Sequence, residues 1–242
     1  MTAPFFQVEA TDGLARTGVL SFPGGLQVET PAFMPVGTVG TVKGIWQSDL
    51  EEIGYRLILG NTYHLFLRPG AELVSQMGGL GDFIGWPHAL LTDSGGYQVF
   101  SLADRVKFEA GGVEFASHLD GSRHLFTPKR VIDIQSALRS NIMMVLDDCP
   151  PGDADAERVR TSMERTHRWA SEAQQYHTQL VDAGRLNPER SRLFGIVQGG
   201  LAAETRGESL EHIQSQPFSG IAVGGLSVGE SRDEMYSILK YL

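Results

Sequence analysis

The sequence contains little cysteine, with a single residue, Cys149, among 242. One thiol cannot form an internal disulfide or a multi-cysteine zinc site, so the sequence favours a reducing, cytoplasmic compartment. It also lacks any run of about 18 apolar residues, the length that a transmembrane helix needs. The first residues, MTAPFFQVEATDG, have neither a basic start nor a long apolar segment, so we expect no signal peptide.

Basic residues are in the minority, since 20 Lys and Arg face 29 Asp and Glu and give a formal net charge of −9. This balance argues against a general affinity for nucleic acid, and RNA binding would require a local basic patch. The hydrophobic content of 41% and the charged content of 20% are ordinary for a globular protein. The length suits one domain of α/β-barrel size or two small domains.

The most informative stretch is LLTDSGGYQVFSL, residues 90–102, in which an apolar run meets Asp93. A buried strand with this ending places a carboxylate at its C-terminal tip, where α/β folds hold their chemistry. Gly95 and Gly96 expose bare backbone to a flat ligand, and Tyr97 is positioned to cover the face of that ligand. The alternative is that the aspartate and the following serine only cap the next helix.

Three later apolar runs end in the same style. They are Ile142–Leu146 before Asp147 and Asp148, Leu193–Val197 before Gln198, and Ile221–Val223 before Gly224, Gly225 and Leu226. If the strands are parallel, all four endings meet at one rim. A carboxylate accepts from N–H groups, an amide reads a carbonyl and backbone N–H groups complete the edge, so the set fits a purine-like base.

The order of strand and helix signals predicts six βα units of an α/β fold, best matched by a TIM-type (β/α)8 barrel in a single domain, residues 1–242. The first strand is predicted within Thr30–Gly37. Residues 106–126 interrupt the rhythm with two glycine turns and predict an inserted hairpin. Eight strands close such a barrel, so we expect the domain to be C-terminally incomplete or completed by units supplied elsewhere.

Two further patterns carry local predictions. A long helix is expected over residues 154–183, with His167 and His177 on its solvent face. Ser48 and Glu51 have the spacing of a capping box.

The second turn of the inserted hairpin carries His118, Asp120 and His124. A metal site is one interpretation of this cluster. A polar hairpin tip is favoured, because no third strong ligand is nearby.

The segments TPAFMPVGT, ILGNTYHLFLRPG, LTDSGGYQVFSL, SHLDGSRH, LFGIVQGG and AVGGLSVGE occur in the tRNA-guanine transglycosylase family, the bacterial queuine tRNA-ribosyltransferases. The chain resembles that family over nearly all of its length. The resemblance implies a cytoplasmic homodimer that exchanges guanine in a tRNA anticodon loop for a 7-deazaguanine base. It also implies a double displacement at ribose C1′, with the nucleotide turned out of its stack.

The resemblance also implies roles for individual residues. Asp93 matches a general acid/base, Tyr97 a residue that stacks on the base, Asp147 the acceptor for its N–H edge and Gln198 the group facing its carbonyl. The implied base-binding residues are Asp93, Ser94, Gly95, Gly96, Tyr97, Asp147, Gln198, Gly225 and Leu226. Asn61, Tyr63 and His64 match a pocket-supporting run, Cys149 is either a pocket neighbour or a small buried filler, and Asp148 is a cap or a supporting acid.

One departure from the family pattern concerns the downstream residues. The nucleophilic aspartate, the basic RNA-contact segment and the Cys/His ligands of a structural zinc belong to a later stretch and are missing here, so no metal ligands are expected in this chain. Asp93 itself is an alternative nucleophile, ranked lower.

Two rival interpretations leave the function open at this point. A base-binding but catalytically silent subunit is a rival interpretation. A barrel enzyme for phosphorylated metabolites, with GGLSVGE as a phosphate-binding segment, is another, although Asp147 and Asp148 would repel a phosphate.

Ile45 and Trp46 near Lys43 are a candidate dimer contact, and a core or pocket-rim place for Trp46 is the alternative.

Overall fold

The computed structural model of the chain describes residues 4–102, 106–109 and 111–242. Its strands, in chain order, are β1 (Phe6–Asp12), β2 (Ala15–Ser21), β3 (Gln27–Thr30), β4 (Val36–Gly37), β5 (Leu57–Gly60), β6 (Ala89–Thr92), β7 (Val106–Glu109), β8 (Gly112–Ala116), β9 (Arg123–Phe126), β10 (Ile142–Met144), β11 (Arg192–Val197) and β12 (Gly220–Val223). Its helices are α1 (Gln47–Ile53), α2 (Thr62–Leu67), α3 (Ala71–Gln76), α4 (Leu80–Ile84), α5 (Gly96–Leu102), α6 (Pro128–Ala137), α7 (Ala156–Asp182), α8 (Ala203–Gln214) and α9 (Arg232–Tyr241).

The central sheet is parallel and has the order β4-β5-β6-β10-β11-β12, which follows the chain. This order confirms the six predicted βα strands and the α/β class. Every residue of β6 is buried, as expected of a parallel strand covered on both faces. Within the described residues, β4 and β12 end the sheet without pairing to each other, so closure into a barrel stays a prediction.

The first strand of this sheet is shorter than predicted. Only Val36–Gly37 of the expected segment Thr30–Gly37 pairs with β5. Pro31 and Pro35 interrupt that segment, and proline has no N–H to donate to a ladder. The carbonyl of Pro35 still accepts from Leu59 N at 2.9 Å, so the segment lies alongside β5.

Two antiparallel sheets flank the parallel one. The first has the order β1-β2-β3, and the second has the order β7-β8-β9 and confirms the predicted insertion. Position 110 of the predicted range 106–126 lies outside the described residues. Phe115 and Phe126 of the inserted sheet are buried, with ring centroids 4.9 Å apart in an edge-to-face arrangement, and Tyr63 of α2 packs against Phe115. The insertion therefore covers the helix that follows β5.

The apolar core divides into two clusters of buried residues. Leu90 and Leu91, neighbours in β6, contribute to different clusters, because successive side chains of a strand point to opposite faces. Val131 and Ile134 of α6 are buried together with Leu138 at its C-cap, as their spacing predicts.

The long helix α7 is present, but its two histidines are not on the surface. His167 and His177 are buried. His167 Nε2 lies 2.9 Å from Ser209 Oγ of α8, and His177 Nε2 lies 3.0 Å from the carbonyl oxygen of Ser191. The prediction of a solvent face was wrong because α8 packs against His167 and the segment before β11 contacts His177. Periodicity within one helix cannot reveal such contacts.

The predicted Ser48–Glu51 capping box is also wrong. Helix α1 begins at Gln47 with Trp46 as its N-cap residue, and the carboxylate of Asp49 accepts from Trp46 N at 3.3 Å. No helix in the described part of the chain is both long and apolar enough to span a membrane.

Candidate active site

A cavity of about 440 Å³ lies at the C-terminal tips of the central strands. Its lining includes six of the predicted residues, Asp93, Ser94, Gly95, Gly96, Tyr97 and Asp147. Leu59, Met144 and Ile196 contribute apolar wall. A cavity with apolar walls and a few convergent polar groups is the usual form of a small-molecule site.

The carboxyl group of Asp93 is held by donors from the segments that follow β5 and β6. Oδ2 accepts from Asn61 Nδ2, and Oδ1 accepts from Thr62 N at 2.8 Å and from Gly95 N at 3.2 Å. Burial raises the pKa of Asp93, although these hydrogen bonds act in the opposite direction. A carboxyl group with a raised pKa exchanges a proton closer to neutral pH, which suits general acid/base chemistry.

Asp147 is the second carboxyl group of the cavity. Oδ1 accepts from Ser94 Oγ at 3.1 Å, and Oδ2 accepts from Gln198 Nε2 at 2.7 Å. Burial raises the pKa of Asp147 to about 6, and the neighbouring charge of Asp148 adds to the rise. A Cβ atom at Gly96 would lie 2.5 Å from the carbonyl oxygen of Asp147, so only glycine lets the start of α5 approach this strand tip.

Asp148 points away from the cavity and forms an ion cluster with α7. Its carboxylate is completely buried and accepts from both terminal nitrogens of Arg158, at 2.6 and 2.8 Å, and from Arg165 Nη1. The guanidinium of Arg165 lies 3.8 Å from the ring centroid of Phe108. Asp148 is therefore a supporting acid rather than a group that reaches a ligand in the cavity.

Gln198 and the glycine segment after β12 form a wall behind Asp147. Gln198 is completely buried, and its Oε1 has no hydrogen-bond partner among residues 4–102, 106–109 and 111–242. Gly225 has a φ of +63° and lies so close that a Cβ atom there would overlap Gln198 Oε1. Neither Gln198, Gly225 nor Leu226 lines the 440 Å³ cavity, and Gly225 borders a separate cavity of about 210 Å³.

Two residues that the sequence interpretation missed support these strand tips. Gln135 of α6 accepts from Met144 N at 2.8 Å and from Thr92 Oγ1 at 3.0 Å, and it donates to the Met144 carbonyl at 2.9 Å. It ties β6 and β10 together just before their carboxylates. Arg206 of α8 is completely buried behind the wall of Gln198 and Gly225. A lone Gln or Arg in an amphipathic helix carries no sequence signal that separates it from a surface residue.

The histidine cluster of the inserted hairpin makes contacts that need no metal. His118 Nδ1 lies 2.8 Å from Tyr63 Oη, and His124 Nε2 lies 2.8 Å from Ser122 Oγ. No group of three or more His, Cys, Asp or Glu in the described part of the chain could hold a metal ion. The polar-tip interpretation of this hairpin therefore fits the geometry better.

Cys149 and Trp46 are the remaining candidates, and the two side chains differ in burial. Burial raises the pKa of the Cys149 thiol to about 12, so this thiol is protonated at neutral pH. Trp46 is 76% exposed, which rules out a core position, and it does not line the 440 Å³ cavity.

The fold and the site define a class of protein, an α/β protein whose parallel strands carry buried carboxyl groups at the rim of one cavity. Residues 11–242 match the family model described as queuine tRNA-ribosyltransferase, and the chain belongs to that family. The chain is 51% identical over 230 residues to a queuine tRNA-ribosyltransferase of Leptospira biflexa, covering 95% of this chain and 60% of the relative.

A second relative, from Oleidesulfovibrio alaskensis, is 52% identical over 234 residues, with 97% of this chain and 60% of that protein covered. A third, from Caldanaerobacter subterraneus, is 48% identical over 243 residues, with 100% of this chain and 62% of that protein covered. Both have the same name as the first. The chain thus spans about 60% of the length of the curated relatives it matches.

Proposed function

We propose that this chain provides the base pocket and the acid/base residue of a tRNA-guanine transglycosylase, which exchanges anticodon guanine for a 7-deazaguanine base. The observation that carries the proposal is the buried carboxyl group of Asp147, oriented by Ser94 and Gln198 at the edge of the 440 Å³ cavity. Two carboxyl oxygens in this position accept the adjacent N–H donors of a guanine edge.

The other proposed base contacts surround Asp147. Tyr97 is 54% exposed at the cavity and is available to stack on the face of a base. Without ligand, Gln198 Nε2 donates to Asp147. A bound base must therefore replace this amide as the donor to the carboxylate, which releases the amide for another acceptor. The released amide and the backbone N–H of Gly225 then donate to the base carbonyl.

The proposed reaction is a double displacement at ribose C1′. A carboxylate attacks C1′ as the bond to guanine N9 breaks, and the leaving base takes up a proton. The incoming base then attacks C1′, loses its N9 proton and displaces the carboxylate. Asp93, with its raised pKa, is the proposed group that transfers these protons.

The nucleophile is expected in the later stretch of the family pattern. Asp93 as nucleophile is the lower-ranked alternative, because its carboxyl oxygens already accept hydrogen bonds from Asn61, Thr62 and Gly95.

The proposed partners are the anticodon loop of a tRNA and a second copy of the chain, with Trp46 as a contact residue. Closure of the parallel sheet into a full TIM-type barrel is proposed with them. The structural zinc of the family pattern does not fit the residues described here, which contain one cysteine and no cluster of three metal-binding side chains. No step of the proposed reaction involves a metal.

Calorimetric titration with guanine and with 7-aminomethyl-7-deazaguanine tests the pocket. The chain is expected to bind both bases, and an Asp147→Ala variant is expected to bind neither. Asp153→Ala, which removes an exposed carboxylate, is the matched control and should bind as the wild type does. If the folded wild-type chain binds neither base, the pocket assignment is wrong.

Incorporation of labelled guanine into tRNA separates the enzyme from the silent subunit. Exchange that is lost in an Asp93→Ala variant supports the proposed acid/base role. Base binding without any exchange favours the base-binding alternative, which is a silent subunit or a fragment that lacks the nucleophile.

A further inference from the structure

Arg206 is a buried cation that reaches the two peptide groups of the proposed base-reading wall. Its side chain is completely buried, and burial lowers the pKa of Arg206 to about 10, so it remains charged at neutral pH. None of the ion pairs in the described part of the chain includes it. Its charge is instead surrounded by carbonyl groups.

The guanidinium donates four hydrogen bonds to the last residue of β11 and to the segments that follow β11 and β12. Nε donates to the carbonyl of Gly200 at 2.6 Å, and Nη1 donates to the carbonyls of Val197 at 3.0 Å and Gly224 at 2.7 Å. Nη2 donates to the carbonyl of Gly225 at 3.2 Å. One side chain therefore fixes the tips of two neighbouring strands relative to each other.

The two glycine carbonyls belong to peptide groups of the proposed base-reading wall. The Gly224 carbonyl shares a peptide group with the N–H of Gly225, and the Gly225 carbonyl shares one with the N–H of Leu226. Neither N–H has a backbone acceptor within the described ranges, whereas Gly224 N donates to the Val197 carbonyl at 2.9 Å. A charged donor on a carbonyl polarises its peptide group and makes the N–H on the other side a stronger donor.

The same helix also positions Gln198. Ser209 lies three residues after Arg206, on the same face of α8, and its Oγ accepts from Gln198 N at 3.1 Å. A Cβ atom at Gly224 would lie 2.8 Å from Gln198 Nε2, so the amide is pressed against the segment that Arg206 holds. Helix α8 therefore holds the backbone of Gln198 through Ser209 and the glycine segment of the wall through Arg206.

We infer that Arg206 is a positioning residue that strengthens recognition of the base carbonyl, by fixing and polarising the Gly224–Gly225–Leu226 peptide groups. The inference rests on the proposed function and assigns to Arg206 a share in the choice of ligand. It concerns the carbonyl edge of the base alone. Binding of the N–H edge, whose donors Asp147 is proposed to accept, should not depend on Arg206.

Calorimetric titration of Arg206→Lys with guanine and with 6-thioguanine tests this. Sulfur replaces the carbonyl oxygen in 6-thioguanine and is the weaker acceptor, while the N–H edge is unchanged. We expect the variant to bind guanine at least about tenfold more weakly and 6-thioguanine no more than about threefold more weakly. Arg160→Lys is the matched control, because Arg160 is exposed and pairs with Glu208 on the surface, and it should change neither affinity.

Each outcome decides the inference. Equal weakening for both bases would reveal a purely structural role and overturn it, as would an unchanged affinity for guanine. If the wild type binds guanine and the Arg206 variant retains that affinity, only this inference is overturned. If the wild type does not bind guanine, the proposed function is overturned with it.

If the variant does not fold, nuclear magnetic resonance of the wild type replaces it. Guanine should then shift the side-chain N–H signals of Arg206 together with the amides of Gly225 and Leu226, and 6-thioguanine should shift them less. Arg206 signals that guanine leaves unchanged would refute the inference.

Discussion

Replacement of Asp147 by asparagine should weaken the ligand and strengthen the fold at the same time. Burial raises the pKa of this carboxyl group from its ordinary 3.8 to about 6. Each unit corresponds to about 1.4 kcal/mol, so the ionised side chain costs the folded state about 3 kcal/mol at pH 7. The amide carries no charge but loses one of the two bonds that Ser94 and Gln198 donate, a cost of about 1 kcal/mol.

The pH dependence of this effect has a definite sign. The folded state holds its proton on Asp147 up to about pH 6, whereas the unfolded chain releases it near 3.8. The wild type therefore loses stability relative to Asp147→Asn as the pH rises from about 4 to 6, and the full difference is present above 6. We expect the variant to be about 2 kcal/mol more stable at pH 7 and no more stable at pH 4.

Urea denaturation at pH 4, 5.5 and 7, followed by circular dichroism, measures this difference. Guanine affinity of the same variant should fall at least about 100-fold, because one acceptor position is lost and the other no longer carries charge. A variant that is less stable than the wild type at pH 7, or a stability difference that does not change with pH, would refute the reasoning about burial of Asp147.

Three further predictions concern neighbouring features. Gly96→Ala should lower the free energy of unfolding by about 1–3 kcal/mol and abolish guanine binding, because its Cβ would lie 2.5 Å from a strand-tip carbonyl. Gly111→Ala, with no atom within 4 Å of its Cβ, should be neutral in the same urea titration. Burial and a stacked histidine lower the pKa of His167 to about 4, so the wild type should lose about 3 kcal/mol relative to His167→Gln as the pH falls from 6.5 to 4. A pH-independent difference would contradict this. Asp148→Asn leaves two arginines without their buried carboxylate and should cost about 3 kcal/mol in thermal or urea unfolding, and an unchanged midpoint would count against the ion cluster.

The strand tips show how far sequence reasoning reaches in this protein. The runs before Asp93, Asp147 and Gln198 are almost entirely apolar, and this pattern is typical of strands buried on both faces of a parallel sheet. The sheet, its order and the meeting of two carboxylates at one rim follow from it. The prolines of Thr30–Gly37 shorten the first strand, and this effect is also predictable from the sequence.

The error about the two histidines arises from contacts between segments distant in the chain. His167 and His177 lie on a helix with many charged residues, and only the packing of α8 and of the Ser191 carbonyl makes them buried. The role of Gln198 toward the base stays a prediction. In the structure its amide donates to Asp147, a contact between distant segments that its place in the sequence does not reveal.

The sequence by itself determined the class of fold, the helical and strand order and the residue types at the rim, since these depend on local periodicity and on side-chain chemistry. Only the tertiary structure decided which carboxylate faces the cavity and which one is neutralised. Asp147 and Asp148 are adjacent in the chain, yet the first receives Ser94 and Gln198 and the second receives two arginines of α7. The carbonyl partners of Arg206 were likewise decided by packing, because a buried cation is recognisable only from the groups that surround it.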